Sequence, residues 1–341
     1  MKSIKGFPSP MRRAVFGAAI ALAAVTAGHS PASAQPYNLT LCAASVGGTW
    51  SLIGAGIDNA VREAFPGSIV TIQTSAGGIA NAASLQSGGC DFAIMHAPEV
   101  GLAMAGGEPF RAPMDNLRLL ARIESWSPLH IMVSRELADQ HGLRTVADIA
   151  AKQVPVRIVV QRPGNIGYAV SRDVLAAAGA SFEQIEEWGG TIMNGASAEQ
   201  ANLFRDRRAD VGMNVLFPGA AQVLDVAHAV PITLLSIPDE VRLKIAEQWN
   251  VPEFTISSSD YDFIGEDVQT VTLGAHLVTL SSMPEDVAQA VLTAIVDHAE
   301  MIASVHPSMS RLDVANFSGS TLPYHDAATA FYTERDMMPV N

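Results

Sequence analysis

Three loops of the sequence combine glycine with hydroxyl or amide side chains at the start of a predicted helix. The first loop is "SVGGTW" (Ser45–Trp50), the second is "TSAGGIAN" (Thr74–Asn81) and the third is "QRPGNIGYAV" (Gln161–Val170). Backbone N–H groups at a helix start have no partner within the helix, and the helix dipole favours negative charge there. Each loop on its own is also an ordinary helix cap. Three loops that face one cleft would form an anion-binding site.

Single residues near these loops add possible ligand contacts. Arg162 could hold a carboxylate through two parallel hydrogen bonds, or it could be a solvated charge or part of an ion pair. Trp50 could form a wall of the site or belong to the core. His96 follows the predicted strand "CDFAIM", where it could donate to a ligand or cap the next segment. A fourth strand-end loop, Asn214–Ala221, faces the same way.

Common enzyme signatures are missing from the sequence. It contains no GxSxG elbow, HExxH, P-loop or SxxK motif, and its Cys and His residues lack metal-binding spacing. The segment "GAGIDN" matches only part of a dinucleotide fingerprint and does not directly follow a strand. We therefore expect a binding protein that is not an enzyme and uses neither a metal nor a cofactor.

The loops are joined by alternating strands and helices. "NLTLCAAS" (Asn38–Ser45), "SIVTIQTS" (Ser68–Ser75) and the helical segments after them predict a βαβαβ unit, and the pattern restarts at "VRIVVQ". This alternation predicts an α/β fold of two lobes with doubly wound sheets. The chain would cross near Trp126–Val133 and return near Val271–Leu280, which forms a two-strand hinge. Ligands bind at the strand ends of such sheets.

The first 34 residues have the features of a secretory signal peptide. Four basic residues precede a 15-residue apolar run, and "ASA" (Ala32–Ala34) is a typical cleavage site. The alternative is a membrane anchor, but the run is short of the ~20 residues needed to span a bilayer. We expect a periplasmic chain with no membrane insertion after cleavage. Cleavage of the signal peptide would remove its four basic residues and leave 17 basic and 34 acidic residues. The resulting net charge of −17 disfavours binding of nucleic acid.

The only two cysteines are Cys42 and Cys90. An oxidising compartment would permit a disulfide between them. Both lie in or beside predicted strands, so we favour buried free thiols. The disulfide remains the alternative, because the sequence does not give the distance between the two Cα atoms.

Together, "CAASVGGTWSLIGAGIDNAV", "VTIQTSAGGIANAASLQSGGCDFAIMHAPEV" and "VVQRPGNIGYAVSRDVLAAAG" resemble the TAXI family, the extracytoplasmic solute-binding subunits of TRAP transporters. The resemblance implies a type II periplasmic binding protein-like fold with mixed sheets, divided into a signal peptide (1–34), lobe 1 (35–130 and 272–341) and lobe 2 (131–271). It implies capture of a small organic acid, such as a dicarboxylate, glutamate or 2-oxoglutarate. The acid would pass to the small and large TRAP membrane subunits, which are often fused. Rival possibilities are an ABC-transporter receptor, a sensory receptor or an exported enzyme.

The resemblance and the loops give one set of candidate binding residues. These ligand-binding residues are Ser45, Gly48, Thr49, Trp50, Ser75, Gly77, Asn81, His96, Arg162, Pro163, Gly164, Asn165, Asn214 and Phe217. Several positions depart from the family pattern, including Trp50 in place of the usual Tyr and "HAPE" after the third strand. Because these departures fall on the predicted cleft, the family's ligand does not transfer directly. We expect a carboxylate, with Arg162 and His96 as donors.

Overall fold

The computed structural model describes residues 36–338, so the predicted signal peptide lies outside the described residues. The strands are β1 (Asn38–Cys42), β2 (Ile69–Gln73), β3 (Phe92–Met95), β4 (Leu117–Glu124), β5 (Leu129–Ser134), β6 (Arg157–Val160), β7 (Thr191–Asn194), β8 (Val211–Val215), β9 (Ile232–Leu234), β10 (Glu253–Ile256), β11 (Val268–Val271) and β12 (Ala275–Leu280). No helix within residues 36–338 combines the length and apolar character needed to cross a membrane.

Helices separate most of the strands. They are α1 (Thr49–Ala64), α2 (Gly78–Gln86), α3 (Ala97–Ala105), α4 (Arg135–His141), α5 (Ala147–Ala151), α6 (Ile166–Ala177), α7 (Phe182–Glu187), α8 (Ser197–Arg205), α9 (Ala221–Ala229), α10 (Asp239–Trp249), α11 (Glu285–Asp297), α12 (Ala299–Ala303) and α13 (Asp326–Glu334). Each of the three glycine-containing loops therefore leads from a strand into a helix, as predicted.

Ten of these strands form two mixed five-stranded sheets, and β10 pairs antiparallel with β11 in a separate two-stranded sheet. The first sheet has the order β2-β1-β3-β12-β4 and the second has the order β7-β6-β8-β5-β9. In the first sheet β1 runs parallel to β2 and β3, whereas β12 runs antiparallel to β3 and β4. In the second sheet β6 runs parallel to β7 and β8, whereas β5 runs antiparallel to β8 and β9. The predicted α/β class with mixed sheets is confirmed.

Two segments connect the sheets. The chain leaves the first sheet after β4 and enters the second at β5, and it returns between β11 and β12. The two connections touch, since Pro128 and Thr272 form an isolated bridge and the Leu273 N–H donates to the Ser127 carbonyl at 3.1 Å. The domain boundaries at residues 35–130, 131–271 and 272–341 remain a proposal, and β5, a strand of the second sheet, begins two residues before the boundary at 131.

Each sheet has a core on both faces, because neighbouring residues of a strand point to opposite sides. Leu39 and Leu41 of β1 pack into one cluster with helices α1 and α11, while Cys42 joins a separate cluster with α2 and α3. In the second sheet Ile158 and Val159 of β6 likewise belong to different clusters. This two-sided burial leaves the strand ends as the place where polar loops meet.

The cysteines form a disulfide, so the expectation of free thiols was wrong. Cys42 and Cys90 are joined with their Cα atoms 5.8 Å apart. Cys42 ends β1, and Cys90 lies just before β3, the strand that pairs with β1. The pairing of two strands that are distant in the sequence brought the cysteines together. Their separation of 48 residues gave no sign of it.

Candidate ligand-binding cleft

A polar cleft lies where loops from the first sheet meet loops from the second. Its lining residues are Ala44, Ser45, Gly48, Thr49, Trp50, His96, Gln161, Asn165, Ser197, Asn214, Val215 and Leu216. The cleft has a cavity volume of about 30 Å³. That is room for about two waters. An organic acid therefore requires the loops to move apart before it can enter.

The first loop presents the start of helix α1 to this cleft. The cap residue Gly48 gives no side-chain hydrogen bond to the helix, and the first turn contains no acidic residue. Among the described residues, no acceptor faces the backbone N–H groups of Thr49 and Trp50. Gly47 has a φ of 80°, a left-handed conformation that glycine adopts without strain. The helix start thus offers two backbone donors and its dipole to an anion.

The rings of Trp50 and His96 contact each other in a tilted arrangement at one side of the cleft. Their ring centroids are 4.6 Å apart with an interplanar angle of 53°. His96 Nδ1 forms a hydrogen bond with the Gly274 carbonyl, so this nitrogen carries the proton and Nε2 is the acceptor. Burial lowers the pKa of His96 to about 4, which keeps the ring neutral at pH 7. The free nitrogen of His96 is therefore an acceptor, which reverses the donor role expected from the sequence.

A buried network of amides holds the opposite wall. Gln161 Nε2 donates to Asn214 Oδ1 at 2.5 Å, and Asn214 Nδ2 donates to Ser197 Oγ at 3.2 Å and to Gln222 Oε1 at 2.5 Å. Gln222 Nε2 then donates to Gln200 Oε1 at 2.8 Å. Because each amide is fixed by its neighbour, the cleft presents these polar groups in one arrangement.

Gln161 and Ser197 were missing from the predicted set. Gln161 directly follows β6 and is the first residue of the third loop, so its position after a strand was the available signal. Ser197 begins α8, and the loop before it contains Gly195 in "NGAS". A search of every strand-to-helix loop for polar residues would have found both.

The second and third loops meet at Glu99, which the sequence reasoning did not single out. Its carboxylate is fully buried; Oε2 accepts the His96 N–H at 2.9 Å and Oε1 accepts the Ile166 N–H at 3.0 Å. The backbone N–H groups of Gly78 and Ile79 also hydrogen-bond to it. These donors stand at the starts of α2, α3 and α6. We call this cluster the Glu99 junction.

The glycines of the second loop make room for the Glu99 junction. A Cβ atom on Gly78 would lie 1.8 Å from Glu99 Oε2, which no side chain could accommodate. Gly77 has a φ of 138°, and a Cβ there would lie 2.7 Å from Asn165 Nδ2. Burial raises the pKa of Glu99 to about 7, against the opposing effect of its four backbone donors. The second loop is thus shaped around an internal carboxylate.

Other predicted residues lie outside the cleft lining. Asn81 Nδ2 donates to the carbonyls of Cys42, Ala43 and Ile94, so Asn81 ties helix α2 to the first sheet. Ser75 Oγ donates to the Ala43 carbonyl at 3.0 Å. These hydrogen bonds give both side chains a role in holding the second loop.

Arg162, the charged residue of the third loop, lies outside the cleft lining. Arg162 Nη2 contacts both carboxylate oxygens of Glu199, at 2.5 and 2.6 Å, and both side chains are half exposed. Pro163 and Gly164 are likewise absent from the lining, whereas Asn165 belongs to it. Phe217 is fully buried in the core beside the first sheet. Arg162 therefore forms the ion pair that the sequence left open as an alternative.

No group of three or more His, Cys, Asp or Glu side chains within residues 36–338 is placed to hold a metal ion. The cleft lining likewise contains no lysine or arginine among the described residues. Its hydrogen-bonding groups are hydroxyls, amides, a neutral imidazole and backbone N–H groups.

Comparison with known proteins places the chain in a family. The model of the NMT1-like family matches residues 41–335, so the protein belongs to this family. Its structure is similar to MatC (Rpa3494) from Rhodopseudomonas palustris with bound malate, at 12% identity over 81% of this chain and 90% of that chain, with a TM-score of 0.54. A structure described as a periplasmic transporter is 10% identical over 88% of this chain and 93% of that chain, with a TM-score of 0.50.

A third similar structure is the alkanesulfonate-binding protein SsuA from Xanthomonas axonopodis pv. citri bound to MOPS. It is 14% identical over 90% of this chain and 96% of that chain, with a TM-score of 0.47. The likeness to MatC shows the two-lobed fold of type II periplasmic binding proteins, and the fold predicted from the sequence is confirmed.

Proposed function

We propose that this member of the NMT1-like family is a periplasmic solute-binding protein that captures a small organic anion and delivers it to TRAP transporter membrane subunits. The observation that carries the proposal is the cleft itself, whose polar lining comes from both sheets. Binding of a solute by both halves links capture to closure. The resemblance to the TAXI family supports the TRAP partner, and the malate in the similarly folded MatC supports an organic acid as the ligand.

The anionic group of the ligand belongs at the start of α1. Thr49 and Trp50 line the cleft there, and their backbone N–H groups stand at the positive end of a 16-residue helix. A carboxylate on these donors would form charge-assisted hydrogen bonds, which are stronger than neutral ones. The site requires no cationic side chain, in agreement with its lining.

The rest of the ligand should carry a hydrogen-bond donor. Neutral His96 offers the lone pair of Nε2, since Nδ1 is committed to Gly274. A hydroxyl or amino group on the ligand would satisfy this acceptor, whereas a keto group would not. Hydroxy acids and amino acids therefore fit the cleft better than 2-oxo acids do.

A thermal-shift screen tests the proposed binding activity. The purified chain is refolded to remove carried-over ligand and is then heated with hydroxy, amino and oxo acids and with sulfonates. A ligand at ~100 times its Kd should stabilise the fold by about 2.7 kcal/mol, which raises the Tm by about 5 °C. We expect a hydroxy or amino acid to give this shift. A folded protein that responds to none of the compounds would contradict the proposal.

A matched pair of variants localises the ligand. His96→Phe keeps an aromatic ring beside Trp50 but removes the acceptor, so the ligand-induced shift should largely disappear. His228→Phe changes an exposed histidine on α9 and should keep the full shift. Each shift is measured against the Tm of the same variant without ligand. Equal shifts in both variants would place the ligand elsewhere.

The TRAP partner needs a separate test. In proteoliposomes that contain the TRAP membrane subunits, uptake of the bound acid should require this chain and an ion gradient, and it should not respond to ATP. Uptake that depends on ATP hydrolysis would instead identify the chain as an ABC-transporter receptor.

A further inference from the structure

The Glu99 junction is a filled anion site that spans both halves of the fold. Glu99 belongs to α3, which follows a strand of the first sheet, and it accepts the N–H of Ile166, which opens α6 after a strand of the second sheet. Its other donors are the N–H groups of His96, Gly78 and Ile79. The protein's own carboxylate thus uses donors that two of the three glycine-containing loops would otherwise offer to a ligand.

Among residues 36–338, no lysine or arginine lines the cleft next to this junction to balance further negative charge. Arg162 is paired with Glu199 outside the lining, and His96 is neutral. The helix-start donors at Thr49 and Trp50 have no acceptor among the described residues and are left for an external anion. The lining residue His96 donates its backbone N–H to Glu99, and the lining residue Asn165 directly precedes the donor Ile166. The internal charge therefore lies beside the cleft.

We infer that Glu99 is a specificity-determining residue whose carboxylate replaces a second ligand anion, so that the cleft selects solutes with a single anionic group. This inference rests on the proposed function and narrows its ligand class from organic acids to monoanions. A dicarboxylate would bring its second charge toward the buried carboxylate of Glu99 with no basic side chain in the lining to offset the repulsion.

The test compares two acids that differ by one carboxylate. 2-Hydroxybutanoate and malate share a four-carbon skeleton and a 2-hydroxyl group, but malate carries a second carboxylate. Their affinities are measured by isothermal titration calorimetry at pH 8.5. At that pH Glu99 is ionised, because burial raises its pKa only to about 7. For the wild-type chain we expect 2-hydroxybutanoate to bind at least tenfold more tightly than malate.

The variant Glu99→Gln removes the charge and keeps the side-chain shape. We expect the preference for 2-hydroxybutanoate over malate to fall at least fivefold in this variant. Glu187→Gln changes an exposed glutamate at the end of α7 and should leave the preference unchanged. Circular dichroism establishes that each variant is folded before titration.

The affinities of the wild-type chain for the two acids test the inference even if Glu99→Gln does not fold. Tighter binding of malate than of 2-hydroxybutanoate by the wild-type chain would overturn the inference. An unchanged preference in folded Glu99→Gln would do the same. Either result leaves the proposed function intact, since malate is itself a small organic acid. Failure of the proposed function shows instead as the absence of any response in the thermal-shift screen.

Discussion

The start of α1 and the Glu99 junction share the same sequence signal, but only the donors of the junction hold an acceptor from the chain. Both combine a glycine-containing loop with backbone donors at a helix start. At α1 the N–H groups of Thr49 and Trp50 face the cleft without an acceptor among the described residues. At the junction, four comparable donors are held by Glu99. A loop of this kind therefore predicts an anion without indicating whether that anion comes from the ligand or from the chain.

The difference separates a binding role from a structural one. Donors that face the cleft can contribute to ligand affinity, whereas donors bonded to Glu99 contribute to the stability of the fold. Substitutions in the two regions should therefore affect different quantities.

Removal of the Glu99 side chain should cause the largest loss. Glu99→Ala leaves four backbone N–H groups buried without an acceptor, and we expect the free energy of unfolding to fall by about 3–5 kcal/mol. Urea unfolding measures this change. Glu187→Ala, on an exposed surface, should lose less than about 0.5 kcal/mol. A loss below about 1 kcal/mol in Glu99→Ala would show that the junction is not structural.

The disulfide links the strands that lead to the two regions. Cys42 ends β1 before the first loop, and Cys90 precedes β3, which leads to His96 and Glu99. Replacement of both cysteines by alanine should lower the free energy of unfolding by about 2–4 kcal/mol. Addition of a reductant should destabilise the wild-type chain and leave the variant unchanged. A wild-type chain indifferent to reductant would contradict the pairing.

Substitutions of Thr49 and Arg162 test which side chains contribute to ligand affinity. Thr49→Val removes a hydroxyl from the cleft and should weaken binding of the solute by about 1–3 kcal/mol. Arg162→Ala breaks a half-exposed ion pair outside the lining and should change binding by less than about 0.5 kcal/mol. Calorimetric titration gives both values, with Thr191→Val on β7 as an exposed control. A large loss of ligand affinity in Arg162→Ala would mean that Arg162 contributes to the binding site.

The charge on Glu99 should make stability depend on pH. Burial raises its folded-state pKa to about 7 from an ordinary value of 4.5, so the folded state binds the proton more tightly than the unfolded state does. Stability from this group therefore falls as pH rises through that interval. Between pH 6 and pH 8 the stability advantage of the wild type over Glu99→Gln should shrink by roughly 1 kcal/mol.

Two controls accompany the pH measurement. The buried histidines, whose pKa values are lowered, are present in both chains, so their effects cancel in the difference. Glu124 is a second buried carboxyl with its pKa raised to about 7, and Glu124→Gln should show a similar shrinkage. A difference between wild type and Glu99→Gln that stays constant with pH would mean that Glu99 does not titrate in this range.

The sequence predicted the fold and the position of the cleft because both follow from local patterns. Alternating apolar strands and amphipathic helices predicted the α/β class, and the strand-to-helix loops predicted where polar groups gather. Thr49, Trp50, His96, Asn165 and Asn214 were all named in advance and line the cleft.

The remaining features depend on contacts between distant segments. Glu99 is the third residue of α3 and has the position of an ordinary capping residue, yet Ile166 lies 67 residues away along the chain. Arg162 forms an ion pair with Glu199, which lies 37 residues further along the chain, and Cys42 is bonded to Cys90, which lies 48 residues further along. Only the assembled fold shows which donors are already occupied, so charge in a loop could not be assigned to the ligand from the sequence.

The most direct test of the account is a crystal structure of the chain with the acid that gives the largest thermal shift. We predict that its carboxylate lies about 3 Å from the N–H groups of Thr49 and Trp50, while Glu99 stays bonded to Gly78 and Ile166. A ligand carboxylate found on the Gly78 and Ile166 donors, with Glu99 displaced, would contradict the division between a free and a filled anion site.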